Sequence, residues 1–226
     1  MEFSNWQQFE ALLYELSKQK LEDKKSAQLI SPASYIKGTT RANKNVTGWG
    51  GWAAVDVDDH DFKGDLENEL RASFGDFSYV CYSTASSTLE KPKFRLVFPL
   101  TSEVAVADIK RFWWALNSEL GSIGDKQTKD LSRMYYIPAT YNNANNFIFS
   151  NPGNHIDPML LISRHPMPEK AKTIFDGMPE SMKQAIMQYR ANGLTNTNLK
   201  KFLIDTSPTH QSYYLRTHIG TVTHEG

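Results

Sequence analysis

Apolar positions along the first half of the chain recur first at helical and then at strand spacing. Trp6, Phe9, Leu13 and Leu16 fall three or four residues apart behind a Ser4/Gln7 capping pattern, which predicts an amphipathic helix. The charged run KQKLEDKK (Lys18 to Lys25) reads as a solvated helix end or loop. GTTRANKNVTGWGG (Gly38 to Gly51) is polar and glycine-rich, a loop leading into a strand over Gly51 to Asp58. Leu66, Leu70 and Phe74 predict a second helix, stopped by Gly75. FSYVCYS (Phe77 to Ser83) and KFRLVFPL (Lys93 to Leu100) are aromatic and β-branched enough for strands. Val106, Ile109, Trp113, Leu116 and Leu120 form the strongest helical stripe, and short strands are predicted at RMYYIP and NFIFS (Asn146 to Ser150).

This order predicts an α+β domain over residues 1–162 on an antiparallel or mixed sheet. A proline-bearing polar linker, SRHPMPEKAK (Ser163 to Lys172), opens a small helical region over 163–226. There Pro179 sits at a helix start, Met182, Ile186 and Tyr189 share a face, and Gly193 provides the stop. A second short helix, NLKKFLID, leads into a basic, histidine-bearing tail.

Composition narrows the classes. The 226 residues, 40% of them hydrophobic, suffice for one sizeable core with an appendage. Lys+Arg and Asp+Glu both total 25, so a nucleic-acid partner would have to be held by a local basic surface. A single cysteine, Cys81, forbids an internal disulfide and a multi-Cys zinc knuckle and fits a reducing compartment. No apolar run approaches the length of a membrane span and the N-terminus is no signal peptide, which points to the cytoplasm, or a host cell's cytoplasm.

Candidate chemistry begins at WAAVDVDDHD (Trp52 to Asp61). Strand alternation sends Asp56 and Asp58 to one face and Val55 and Val57 to the core, with the carboxylates about 7 Å apart. They repel unless a cation lies between them, and a hard divalent ion fills that place; a solvated strand end serves the pattern equally well. His60 reads as a helix-start or surface histidine. In KPKFRLVFPL the same alternation turns Lys93 and Arg95 away from Phe94, Leu96 and Phe98. Acids on one strand face and cations on another are the parts of a metal-plus-polyphosphate site. In GDKQTKDLSRMYYIPAT a third acid, Asp125 or Asp130, precedes Arg133, whose planar guanidinium suits phosphate oxygens, and Tyr135 on the same face suits a base or ribose.

Taken in order, VDVDD, YSTASSTLEKPKFRLVFPL and GDKQTKDLSRMYYIPAT resemble the archaeo-eukaryotic primase superfamily, in particular the small primase-polymerases of phages and plasmids. The resemblance spans about residues 35 to 160. It implies an RRM-like catalytic domain that binds two Mg²⁺ or Mn²⁺ ions through Asp56, Asp58 and Asp125, less securely Asp130. It implies template-directed synthesis or extension of primers on single-stranded DNA from dNTPs or NTPs. Many members carry Ser-x-His on the middle strand, whereas this chain has no histidine between His60 and His155. Lys93 and Arg95 stand in that register, or the hydroxyl-rich STASST loop, with Ser86 and Ser87, covers the triphosphate.

Template contacts are expected from Arg41, Lys44, Lys200 and Lys201, with no membrane partner. No phosphate-binding G-x-x-x-x-G-K-S/T loop is present, so unwinding falls to a partner helicase or a longer parent polypeptide. The competing reading is a non-catalytic primase-fold initiator or single-strand-binding module. A phosphatase start at DVDD fails at Asp59, where a small β-branched residue is usual.

Overall fold

The computed structural model describes residues 5–125, 128, 130–168 and 177–191. The chain divides into two compact units, Met1–Met167 and Pro168–Gly226. In the first unit the order is α1 (Trp6–Ser17), β1 (Lys20–Leu21), β2 (Leu29–Ile30), β3 (Ala33–Tyr35), β4 (Val46–Trp49), β5 (Trp52–Val57), α2 (Leu66–Phe74) and β6 (Tyr79–Ser83). It continues with β7 (Phe94–Pro99), β8 (Val104–Ala105), α3 (Ile109–Glu119), β9 (Tyr135–Tyr136), β10 (Thr140–Tyr141), β11 (Ile148–Asn151) and α4 (Pro158–Arg164). The second unit contributes α5 (Glu180–Ala191). The predicted NLKKFLID helix, Gly193, Lys200 and Lys201 lie outside the described residues. Among the described residues no helix is long and apolar enough to cross a membrane.

The fold is α+β. Its central sheet has the order β11-β6-β7-β5 with every neighbour antiparallel. Three small ribbons surround it: β3-β4-β8 and β2-β9 are antiparallel, whereas β1 and β10 pair in parallel.

Alternation along β5 sends Ala53, Val55 and Val57 into a large core with Cys81, Leu96 and Phe98, closed by Leu70 of α2 and by Ile109, Phe112 and Leu116 of α3. Trp52 and Ala54 face the other way, with Val80, Tyr82 and Val97, and Phe9 and Leu13 of α1 cover them together with Tyr135. Both faces are therefore buried. Arg95, read from the sequence as a triphosphate ligand, is buried on the face that α1 and β9 cover.

Local signals explain the helices. Asn5, not Ser4, caps α1 by accepting from the Gln8 amide at 3.0 Å, and Ser4 lies outside the described residues. Asp65 does the same for α2 through Asn68, and Gly75 follows its last turn. Three segments differ from their sequence reading. The run Lys18 to Lys25 contributes β1 and the start of a 3₁₀ turn (Lys24–Ser26). The glycine-rich Gly38 to Gly51 stretch contains β4, whose Gly48 has space only for hydrogen, since a Cβ would lie 2.8 Å from the Val104 carbonyl oxygen. Lastly α4, capped by Asp157 with Pro158 in its first turn, runs past residue 162 to Arg164, whose guanidinium meets Glu119 of α3 at 2.6 Å.

Candidate functional site

The antiparallel register of β5 and β7 sets Asp56 directly opposite Arg95, and that of β6 and β7 sets Tyr82 on the other side of Arg95. Arg95 Nε donates to Asp56 Oδ1 at 2.5 Å, and its Nη1 donates to the Tyr136 carbonyl at 2.6 Å and to Tyr82 Oη at 3.1 Å. The guanidinium also lies over the rings of Tyr135 and Tyr82, at 4.7 and 5.4 Å. Asp56 is 7% exposed and Arg95 6%. Burial opposes the Arg95 charge, but Tyr82 and Asp56 outweigh it and hold the guanidinium pKa above its usual value. From the other side Arg133 Nη2 donates to Asp56 Oδ2 at 3.3 Å. One carboxylate thus holds two guanidiniums, and both of its oxygens are engaged.

Asp58 lies just beyond the end of β5, exposed, with Lys93 Nζ 3.7 Å away. Asp59 pairs with Lys91 at 3.0 Å. His60 is structural. Its Nε2 contacts the Pro92 carbonyl at 2.9 Å, which requires the proton there, and its Nδ1 accepts from the Phe62 amide at 3.2 Å.

The third acidic stretch reaches the same place through a glycine. Gly124 donates to Asn117 Oδ1 at 2.8 Å, and a Cβ at residue 124 would lie 2.5 Å from both that oxygen and Val55 Cγ1. Only hydrogen fits, so the loop lies flat against β5 and the Asp125 amide donates to the Asp56 carbonyl at 2.8 Å. Asp130 sits farther along, 3.7 Å from Arg133. Among the described residues no three His, Cys, Asp or Glu side chains converge closely enough to hold a metal. The carboxylates of Asp56, Asp58 and Asp125 suit a hard divalent ion by type, but Asp56 is covered by its own cations, so an ion must compete with Arg133 for it.

A cavity of about 140 Å³ opens beside this pair. Asp56, Asp58 and Arg95 line it from the central strands, Ser83, Thr84 and Ser86 from the end of β6 and its loop, and Lys24, Tyr136 and Tyr141 from segments alongside. Larger cavities lie elsewhere: one of about 570 Å³ is lined by Trp6, Phe9 and Trp52, and one of about 620 Å³ by Phe77 and the paired Glu119 and Arg164.

Several sequence candidates take other roles. Tyr135 is fully buried and donates to the Ala54 carbonyl at 2.9 Å, so it presents no surface to a base or ribose. Ser87 is 1% exposed and accepts from the Lys93 amide at 3.1 Å, tying the loop to β7, while Ser86 lines the cavity. Arg41 donates to the Ser132 carbonyl at 3.1 Å and braces the segment leading into Arg133, whereas Lys44 is exposed in a 3₁₀ turn. Lys24, Tyr82, Tyr136 and Tyr141 escaped the sequence reading. Strand alternation would have flagged Tyr82 had the β6–β7 register been known; no sequence signal marks Lys24.

The model of the VapE N-terminal domain family matches residues 15–167, ending where the first compact unit ends. Among solved structures, the chain is similar to the AEP domain of the Cyanophage S-2L primase-polymerase at 18% identity and a TM-score of 0.40, over 56% of this chain and 65% of that one. The chain thus spans under two thirds of that structure. No curated protein matches the chain. With well over half of its length matched, the chain belongs to the VapE N-terminal domain family.

Proposed function

We propose that this domain is a primase-type nucleotidyltransferase that synthesises or extends primers on single-stranded DNA from dNTPs or NTPs. One observation carries the reading. Stretches distant in sequence meet here: Asp56, Asp58 and Arg95 line one small cavity, and the Asp125 amide donates to the Asp56 carbonyl. Asp56, Asp58 and Asp125 would hold Mg²⁺ or Mn²⁺. Such a pair of ions, when bound, supplies charge neutralisation at the transferring phosphate and activates the attacking hydroxyl. Lys93 and Arg133, which pair with Asp58 and Asp56, are proposed to grip phosphate oxygens by exchanging those carboxylates for substrate. Arg95 holds Asp56 and Tyr82 in position. Arg41 and Lys44 are proposed to touch template phosphates, and a helicase or a longer polypeptide to supply unwinding.

The test is incorporation of labelled nucleotides on single-stranded DNA, with and without primer, in Mg²⁺ or Mn²⁺. Wild-type protein extends, and Asp58→Asn does not. Equal activity in the two would overturn the assignment of Asp58.

A second reading, a non-catalytic module that binds single-stranded DNA, is favoured by the full occupation of both Asp56 oxygens. Its mark is DNA binding without incorporation and a melting temperature indifferent to divalent ions.

A further inference from the structure

The parallel pairing of β1 with β10 has brought an N-terminal segment against the site. Lys20 and Leu21 pair with Thr140 and Tyr141, and the 3₁₀ turn that follows, held by Asp23 accepting from the Lys25 and Ser26 amides, sets Lys24 at the cavity. Lys24 has no carboxylate partner among the described residues, whereas Asp56 and Asp58 each have a cation already. Tyr141 is 4% exposed and its buried hydroxyl has no hydrogen-bond partner, although the residue lines the same cavity. A buried hydroxyl without a partner is costly, and its presence in a polar cavity marks a place where a ligand oxygen is missing.

Size and chemistry limit that ligand. Sites for whole small molecules run to roughly 300–1,000 Å³, and this cavity of about 140 Å³ has room for a phosphate or diphosphate but not for a base and sugar as well. An ammonium, a phenol and the hydroxyls of Thr84 and Ser86 are donors that match phosphate oxygens, whereas the Ser83 hydroxyl is engaged with Phe147. Burial, first, and then Tyr82 push the Tyr141 pKa above its ordinary value, so the phenol keeps its proton and donates.

We infer that Lys24 and Tyr141 form the phosphate-binding wall of this cavity and seat the terminal phosphates of the incoming nucleotide, or the pyrophosphate that leaves. The inference rests on the nucleotidyltransferase reading for its substrate, but the binding chemistry stands apart from turnover.

Calorimetric titration of the full chain with inorganic pyrophosphate, in EDTA to remove divalent ions, tests it. Wild-type protein binds; Tyr141→Phe and Lys24→Ala each weaken binding about ten-fold or more, as expected for lost charge-assisted hydrogen bonds. Tyr141→Phe leaves the melting temperature unchanged or raised, because it removes an unpaired hydroxyl. Tyr79→Phe is the control, since Tyr79 also buries an unpartnered hydroxyl but lies in the large core, and it leaves affinity unchanged. Absence of pyrophosphate binding by the wild type, or equal affinity in Tyr141→Phe, overturns the inference. Binding that responds to both variants in a protein that incorporates no nucleotide retains the inference and sinks the polymerase reading instead.

Discussion

Asp56 and Arg95 face each other across two antiparallel strands, carboxylate oxygen to guanidinium nitrogen at 2.5 Å, with both side chains at or below 10% exposure. Removing one member of a buried pair leaves the other charge uncompensated and costs about 3–5 kcal/mol, whereas replacing both by apolar groups of similar volume is often neutral. The site's chemistry and the domain's stability therefore meet in a single carboxylate.

Asp56 and Asp58 consequently separate by stability. Asp56→Asn is expected to lower unfolding free energy by about 3 kcal/mol, and Asp58→Asn, at 52% side-chain exposure, to change it by no more than about 0.5 kcal/mol. Urea titrations of the two variants check this, and equal losses would show that Asp56 is not the buried partner of both guanidiniums.

The pair should also be strongly coupled. Arg95→Met alone leaves Asp56 with Arg133 only and destabilises, while Arg95→Met with Asp56→Asn recovers part of the loss. A double-mutant cycle on thermal unfolding is expected to give an interaction of about 1–3 kcal/mol. Strict additivity would mean that the two residues do not hold each other.

Gly124→Ala tests how the third acidic stretch is seated. Its methyl would lie 2.5 Å from Val55 Cγ1 and Asn117 Oδ1, so the loop must lift from β5 and take the Asp125 amide from the Asp56 carbonyl. A stability loss of about 1–3 kcal/mol should accompany a fall in nucleotide incorporation beyond that of an equally destabilised core variant such as Leu70→Ala.

Alkaline pH should unfold the domain through its buried phenols. Burial pushes the Tyr79 hydroxyl from its ordinary 10.0 up to about 12, and burial likewise raises Tyr82, Tyr135 and Tyr141. A group raised on folding contributes stability that is whole below its unfolded pKa and is lost as pH rises toward the folded one. Stability is therefore expected to hold up to about pH 10 and to fall between there and pH 12, more steeply than one proton allows. A flat profile across that window, followed by denaturant titration, would contradict the burial of these hydroxyls.

Much of the sheet was legible because apolar alternation at WAAVDV and KFRLVFPL is a property of the strands themselves. The 3.6 period at Leu66, Leu70 and Phe74, with Gly75 behind it, made α2 equally plain. Alternation does not reveal what covers a face. It turned Arg95 away from Phe94, Leu96 and Phe98, but the cover supplied by α1, Tyr82 and Tyr135 comes from distant segments, so a phosphate ligand was expected where a buried partner of Asp56 stands. The seven-residue α4 is too short to display a period, and its start lies in Asp157 and Pro158, not in a stripe. At the site, Asp56, Asp58 and Ser86 could be read from strand ends and loop composition. Lys24 and Tyr141 could not, because a lysine in a charged run and a tyrosine beside an asparagine-rich turn acquire meaning only once β1 pairs with β10.

That pairing joins residues 20 and 21 to residues 140 and 141 and is only two residues long on each side. On a ribosome the N-terminal segment must wait until nearly the whole domain has emerged before its partner exists, and loop closure of this length opposes early contact. The wall of the cavity is thus a late event in folding, and so short a ladder is among the first to open again in the native state. Amides of β1 and β10 should exchange with solvent by a local opening well below the energy of the central sheet, which makes the cavity wall the hinge side of the site and the Asp56–Arg95 strands its fixed side.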